Sequence, residues 1–249
     1  VAGGEGAMIG WRARLGFLVP PGNPTVEAEM MALAPAGVSL HFHRMAAGGG
    51  LPGALDNQDA RTGAMVDGLD GSAGLLALVK PDIILIAHTA TSYYLGRDRE
   101  AELLARLTRA TGVPITTAFA AVVGALERLG VRRLALGAPY SAETTAQGRA
   151  HLEAHGFAVV ASDNLKGVTN IYDETAERAY GLARGVDRPE AEAVFLSGTG
   201  MPTLPVLELL EQDLRKPVIS SASAMMWHAL RHCGMRQPIP GFGRLLTLD

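Results

Sequence analysis

His88 is the side chain best suited to acid–base chemistry. It ends the apolar run Ile83–Ala87 and is followed by Thr89, Thr91 and Ser92. Imidazole titrates near neutral pH, so it can give or take a proton without a large shift. The other six histidines fall in pairs. His41 and His43 alternate along a strand-like run, but no carboxylate pattern completes a metal site there. His151 and His155 have helical i, i+4 spacing without the glutamate of an H-E-x-x-H motif. They are expected on a solvated helix face, as are His228 and His232. No metal is expected. The one cysteine, Cys233, excludes a disulfide framework and zinc–cysteine sites, and reads as a structural thiol.

Four further stretches could bind an anion. They are Pro20–Thr25, His88–Ser92, Pro139–Thr144 and Ser197–Thr203. Each follows an apolar run and is rich in hydroxyls, glycine or backbone N–H groups. Helix N-termini after such loops offer unpaired donors and partial positive charge. None contains a P-loop lysine or a G-x-G-x-x-G run, so a carboxylate fits better than a nucleotide. The candidate contacts are Pro21, Asn23, Thr91, Ser92, Tyr140, Ser141, Gly198, Thr199 and Gly200, with Thr89 and Tyr140 as donors to developing charge. The competing reading for each hydroxyl is a helix cap. No cofactor is expected.

The elements that must position these loops are legible as short apolar runs. Strands are expected at Leu15–Pro20, Val38–Arg44, Ile83–Ala87, Pro114–Thr117, Arg133–Gly137, Ala158–Ala161, Ala193–Leu196 and Pro217–Ser220. Most lack alternation, as in parallel sheets buried on both faces. Helices are expected at Asp98–Thr111, Ala118–Leu129, Ala142–His155, Tyr172–Arg184, Leu204–Leu214 and Ser223–His232. The chain also repeats itself. RLGFLVPPGNPT, PDIILIAHTATS and VPITTAFAAV correspond in order to RLALGAPYSAET, EAVFLSGTGMPT and KPVISSASAM. The expected fold is α/β, with two pseudo-symmetric flavodoxin-like lobes and a site between them. The lobes are placed at residues 13–120, with 223–249 packing back, and at 121–222.

Composition narrows the partners. The 249 residues carry a net charge of −3 and no basic stripe, which argues against nucleic acid. No apolar run reaches the ~18 residues of a membrane span. The first dozen residues lack the apolar core of a signal peptide and read as a flexible lead, so the cytoplasm is the default compartment. The expected partner is a small carboxylate substrate, and a homo-oligomer is compatible with all of this.

Several motifs resemble the maleate cis-trans isomerase and arylmalonate decarboxylase branch of the Asp/Glu racemase superfamily. PPGNPTVEAE resembles an isomerase loop carrying Asn-x-Thr-x-Glu, here Asn23, Thr25 and Glu27. GAPYSAET resembles the loop whose tyrosine contacts the substrate carboxylate, which points to Tyr140. GVTNIYDE resembles a segment with a substrate-binding asparagine, which points to Asn170. KPVISSASAMMWHALR and PGFGRLL resemble the closing segments of the decarboxylases. The resemblance runs from Arg14 onward.

The superfamily it resembles usually places a cysteine in each lobe on opposite sides of the substrate carbon, and its arylmalonate decarboxylases keep only the second. Here the first position falls at His88 or Thr89 and the second at Gly198. A two-thiol racemase is therefore excluded, and His88 is the natural substitute. The resemblance implies an enzyme that stabilises an enolate-like intermediate on a malonate-type acid, with loss of CO2. A maleate-type isomerase and a non-catalytic carboxylate-binding protein are the alternatives. A cysteine installed at Gly198 is expected to add a proton donor on the second face.

Overall fold

The computed structural model describes residues 9–46 and 54–248. Residues 1–8 of the stretch read as a flexible lead lie outside them. Two four-stranded parallel sheets dominate. The first contains β1 (Ala13–Val19), β2 (Val38–Arg44), β3 (Ile83–Ile86) and β4 (Ile115–Thr117), in the order β2-β1-β3-β4. The second contains β5 (Arg133–Ala138), β6 (Ala158–Asn164), β7 (Ala193–Leu196) and β8 (Val218–Ser220), in the order β6-β5-β7-β8. The orders are identical, which is the pseudo-symmetry the repeat implies. Central β3 and β7 are buried at every residue, in keeping with their unbroken apolar runs. The edge strands β2 and β6 are partly exposed and carry the polar side chains.

Nine helices surround the sheets among the described residues. They are α1 (Thr25–Leu33), α2 (Gln58–Asp67), α3 (Leu69–Ala77), α4 (Thr89–Thr111), α5 (Ala118–Arg128), α6 (Ala142–Ala154), α7 (Ala176–Val186), α8 (Leu204–Leu214) and α9 (Ser221–His232). None is long and apolar enough to cross a membrane. The first three are not legible in the sequence. Residues 58–77 hold four glycines and three aspartates, which weaken any helical signal.

Helix α4 begins nine residues before the expected Asp98. Its first turns are broken from the rest at Gly96, where φ is 71° and ψ 169°. Only glycine adopts that conformation readily. The break lets the Ser92 hydroxyl reach Glu100 at 2.7 Å, across a separation that a straight helix would hold about 12 Å apart.

The two sheets are joined at the carboxyl ends of their strands. Asn23 Nδ2 donates to the Thr199 carbonyl at 3.2 Å, and Thr25 Oγ1 donates to the Gly200 carbonyl at 2.7 Å. Thr199 Oγ1 in turn donates to the Ala87 carbonyl at 2.9 Å. The Glu29 carboxylate accepts the first N–H groups of α8, from Thr203 at 2.6 Å and Leu204 at 2.8 Å. An anion at a helix N-terminus is stabilised by the orphan donors there. At the other end of the chain, α9 packs on α5 and touches α1 and β3.

Candidate active site

The loops leaving β1, β3, β5 and β7 meet where the sheets face each other. His88 is the residue before α4, held extended at the end of β3. Its Nδ1 lies 2.9 Å from Thr91 Oγ1, which leaves Nε2 as the ring nitrogen available to a ligand. A threonine hydroxyl can donate or accept, so it serves either tautomer. Burial, aided by the charge of Arg61, lowers the imidazole from its usual range to about 4. His88 is therefore neutral at neutral pH in the free protein.

Beside it runs a chain of five buried hydroxyls drawn from both lobes. Ser221 Oγ, at the start of α9, lies 2.9 Å from Thr89 Oγ1. The Tyr140 phenol is hydrogen-bonded to Thr89 and to Ser197. Ser197 Oγ lies 2.8 Å from the Tyr93 hydroxyl. Each of the five residues is buried. Burial raises both tyrosines well above the usual phenol range, so both keep their protons. A chain of neutral hydroxyls can turn its protons toward an oxyanion as charge develops.

In the second lobe, Gly198 follows β7 with φ +94° and offers no side chain. A Cβ there would lie 3.0 Å from Pro139 Cγ and 3.2 Å from the Tyr140 hydroxyl. The neighbouring Gly200 makes room for the Tyr172 ring, whose Cδ1 would lie 2.8 Å from an added Cβ. Tyr172 lines a cleft of about 530 Å³ with Gly22, Pro24, Ala54, Thr169, Asn170 and Asp173. The cleft adjoins Asn23 and the Gly200 loop.

The sequence-derived candidates thus divide by what their polar atoms do. Thr89 and Tyr140 belong to the hydroxyl chain, and Thr91 orients His88. Asn23 spends its side chain on Thr199 and, through Oδ1, on the backbone N–H groups of Thr25 and Val26. Ser92 is committed to Glu100. Ser141 caps α6, accepting from the Thr144 N–H at 3.1 Å. Asn170 Oδ1 accepts from the Tyr172 N–H at 3.0 Å, and the residue lines the cleft. Pro21 is half-buried beside Asn23.

Tyr93, Ser197, Ser221 and Arg61 were not singled out from the sequence. Ser197 opens one of the four selected loops and could have been named with it; Ser221 could have been found because it directly follows β8 in the third part of the repeat. Arg61 gave no signal, because it sits in the helix that the sequence conceals. Its side chain is 11% exposed, and its charge acts on both His88 and Tyr172.

A family model described as arylmalonate decarboxylase matches residues 15–246, almost the whole chain. The chain belongs to the arylmalonate decarboxylase family. The arylmalonate decarboxylase of Bordetella bronchiseptica is 31% identical over 93% of this chain and 95% of its own length. The maleate isomerase of Nocardia farcinica is 30% identical over 95% of this chain and 96% of its own. A structure of the Nocardia farcinica isomerase with a covalently bound succinylcysteine intermediate superposes with a TM-score of 0.86. It is 27% identical and covers 95% of this chain and 99% of that one. The family holds both decarboxylases and isomerases, and this chain is similar to both.

Two corrections to the sequence reading follow from the site's surroundings. His151 is not on a solvated face; it is buried, with Nε2 3.2 Å from Glu100 Oε2. His155, one turn on, is partly buried, and so is His228, whereas His232 is exposed as expected.

Proposed function

We propose that this protein decarboxylates a small malonate-type diacid, with His88 delivering the proton to the carbanion. The observation that carries this reading is the placement of His88 next to Thr89, in the hydroxyl chain that runs through Tyr140 to Ser197, the residue before Gly198. One carboxylate of the diacid accepts hydrogen bonds from the chain. The guanidinium of Arg61 supplies positive charge for a dianion. Bringing two negative charges near His88 favours its protonated form, so binding draws one proton from solvent onto the imidazole.

Loss of CO2 leaves an enediolate, whose charge the hydroxyls of Thr89 and Tyr140 hold. Imidazolium then transfers its proton to carbon. Diacid dianion and one proton become a monocarboxylate and CO2, and His88 ends neutral, as it began. Delivery comes from one face, because Gly198 offers only backbone on the other.

Maleate-type isomerisation is the second reading, favoured by the isomerase relative and by Asn170 on the cleft. It requires a nucleophile at the site. Cys233 does not meet that need. It lies beyond α9, its thiol is pushed up to about 11 by burial, and it feels the charge of Asp82. Asp82 precedes β3, at the end of the strand opposite His88. Incubation with monosubstituted malonic acids and with maleate in D2O, followed by NMR, separates the readings. The expected result is CO2 loss with one deuteron incorporated at carbon. Conversion of maleate to fumarate without CO2 loss from any malonic acid would replace decarboxylation by isomerisation. Binding with no turnover would leave a carboxylate-binding protein.

A further inference from the structure

Behind the hydroxyl chain, a second polar cluster joins α4 to α6. Glu100 lies past the Gly96 break, His151 sits in the last turn of α6, and His155 is the residue that ends it. Each of the three presents a ligand-type atom, and these atoms lie within 4.8 Å of one another. Glu100 is buried. Its Oε1 accepts from Ser92 at 2.7 Å and from Thr117 at 2.5 Å, while Oε2 faces His151 Nε2 at 3.2 Å. The two imidazoles are 5.0 Å apart between ring centres. Nε2 of His155 is buried and has no hydrogen-bond partner.

We propose that Glu100, His151 and His155 form a three-ligand site for a zinc-like divalent cation that ties α4 to α6. Two nitrogens and a carboxylate oxygen are a donor set that zinc takes readily. Ligands about 2.0–2.1 Å from a tetrahedral ion stand about 3.3 Å apart, close to the separation seen for Glu100 and His151. A hydrogen bond explains that pair equally well. It does not explain the unpartnered nitrogen of His155, which a shared ion would satisfy.

The remaining gap closes if the His155 ring moves inward by up to about 1.5 Å toward ordinary ligand spacing. His155 is partly exposed and follows the last turn of its helix, where such movement is least opposed. The hydroxyls of Ser92 and Thr117 fix the carboxylate from behind, as partners of metal-bound carboxylates commonly do. The ion would not touch substrate. It would act by fixing Glu100, and through Ser92 the first turn of α4, which carries Thr89.

The test uses the whole chain, stripped with a chelator and titrated with zinc chloride by calorimetry. Thermal unfolding is followed with and without the ion. The expected result is one ion per chain and a raised melting temperature. His155→Ala should weaken binding at least tenfold and remove the zinc-dependent rise, while melting without metal stays within a degree or two of wild type. Glu100→Gln should also lose the ion, and His155→Asn serves if the alanine variant does not fold. No stoichiometric binding to wild type would overturn the site. So would equal affinity in the His155 variants, since the ion would then sit elsewhere.

Discussion

The Tyr140 hydroxyl stands 3.2 Å from the point a Cβ on Gly198 would occupy, and Gly198 itself holds φ at +94°. The phenol and the bare backbone are fitted to each other. A side chain at residue 198 would strain the backbone and press on the group at the centre of the hydroxyl chain. Gly198→Cys is therefore expected to lose about 1–2 kcal/mol of stability from the left-handed backbone alone. It should also slow turnover, rather than simply add a proton donor as the sequence suggests. Urea unfolding and steady-state kinetics of the variant check this; unchanged stability would contradict it.

Tyr140→Phe keeps the ring and removes the hydroxyl that links Thr89 to Ser197. If that hydroxyl holds charge as CO2 leaves, kcat should fall about 10²–10³-fold. Affinity for the monocarboxylate product should change far less, because the charge is largest in the transition state. Equal losses in kcat and in product affinity would make Tyr140 a ground-state contact instead.

Arg61→Met removes the buried positive charge that opposes protonation of His88. The His88 pKa should rise, and KM for a diacid should rise about tenfold or more for a lost charge contact. NMR titration of the imidazole and kinetics on one diacid report the two effects separately. If neither moves, Arg61 has no part in the site.

Acid should destabilise the fold through His88. The group is lowered from 6.5 to about 4 by burial, so the unfolded chain binds the extra proton between those values. The sign is therefore a loss of stability as pH falls from about 6.5 to about 4, amounting to roughly 3 kcal/mol. Other lowered histidines contribute in the same direction, so the comparison is with His88→Gln. That variant should show a shallower fall over the same window in denaturant titrations.

Much of the fold can be read directly from the residues. The runs at Val38–Arg44 and Ala193–Leu196 match β2 and β7 to the residue, and the three-part repeat matches the two identical sheet orders. The start of α4 was concealed because Thr89, Thr91 and Ser92 are weak helix formers and Gly96 interrupts the periodicity. Burial decides their conformation, and burial is a property of the assembled lobes.

The site was half legible for a related reason. His88, Thr89 and Tyr140 announce themselves by type and by position after strands. Asn23 and Thr199 have the same appearance, yet their polar groups bond to each other across the two sheets. Nothing in the sequence distinguishes a hydroxyl that waits for substrate from one that fastens two lobes. His151 shows the converse: its spacing implied a solvated face, but Glu100, fifty-one residues away, draws it into the interior.

The most direct measurement is single-turnover formation of the monocarboxylate product from a malonic acid with two different α-substituents that wild type accepts, compared with His88→Ala at saturating enzyme. Proton delivery by a placed acid is worth about 10²–10⁴ in rate. The expected result is a fall of that size in the variant, with substrate affinity within a few-fold of wild type and loss of the product's single handedness. Full-rate formation of the protonated product and unchanged product stereochemistry in His88→Ala would contradict a role for His88 as the proton donor.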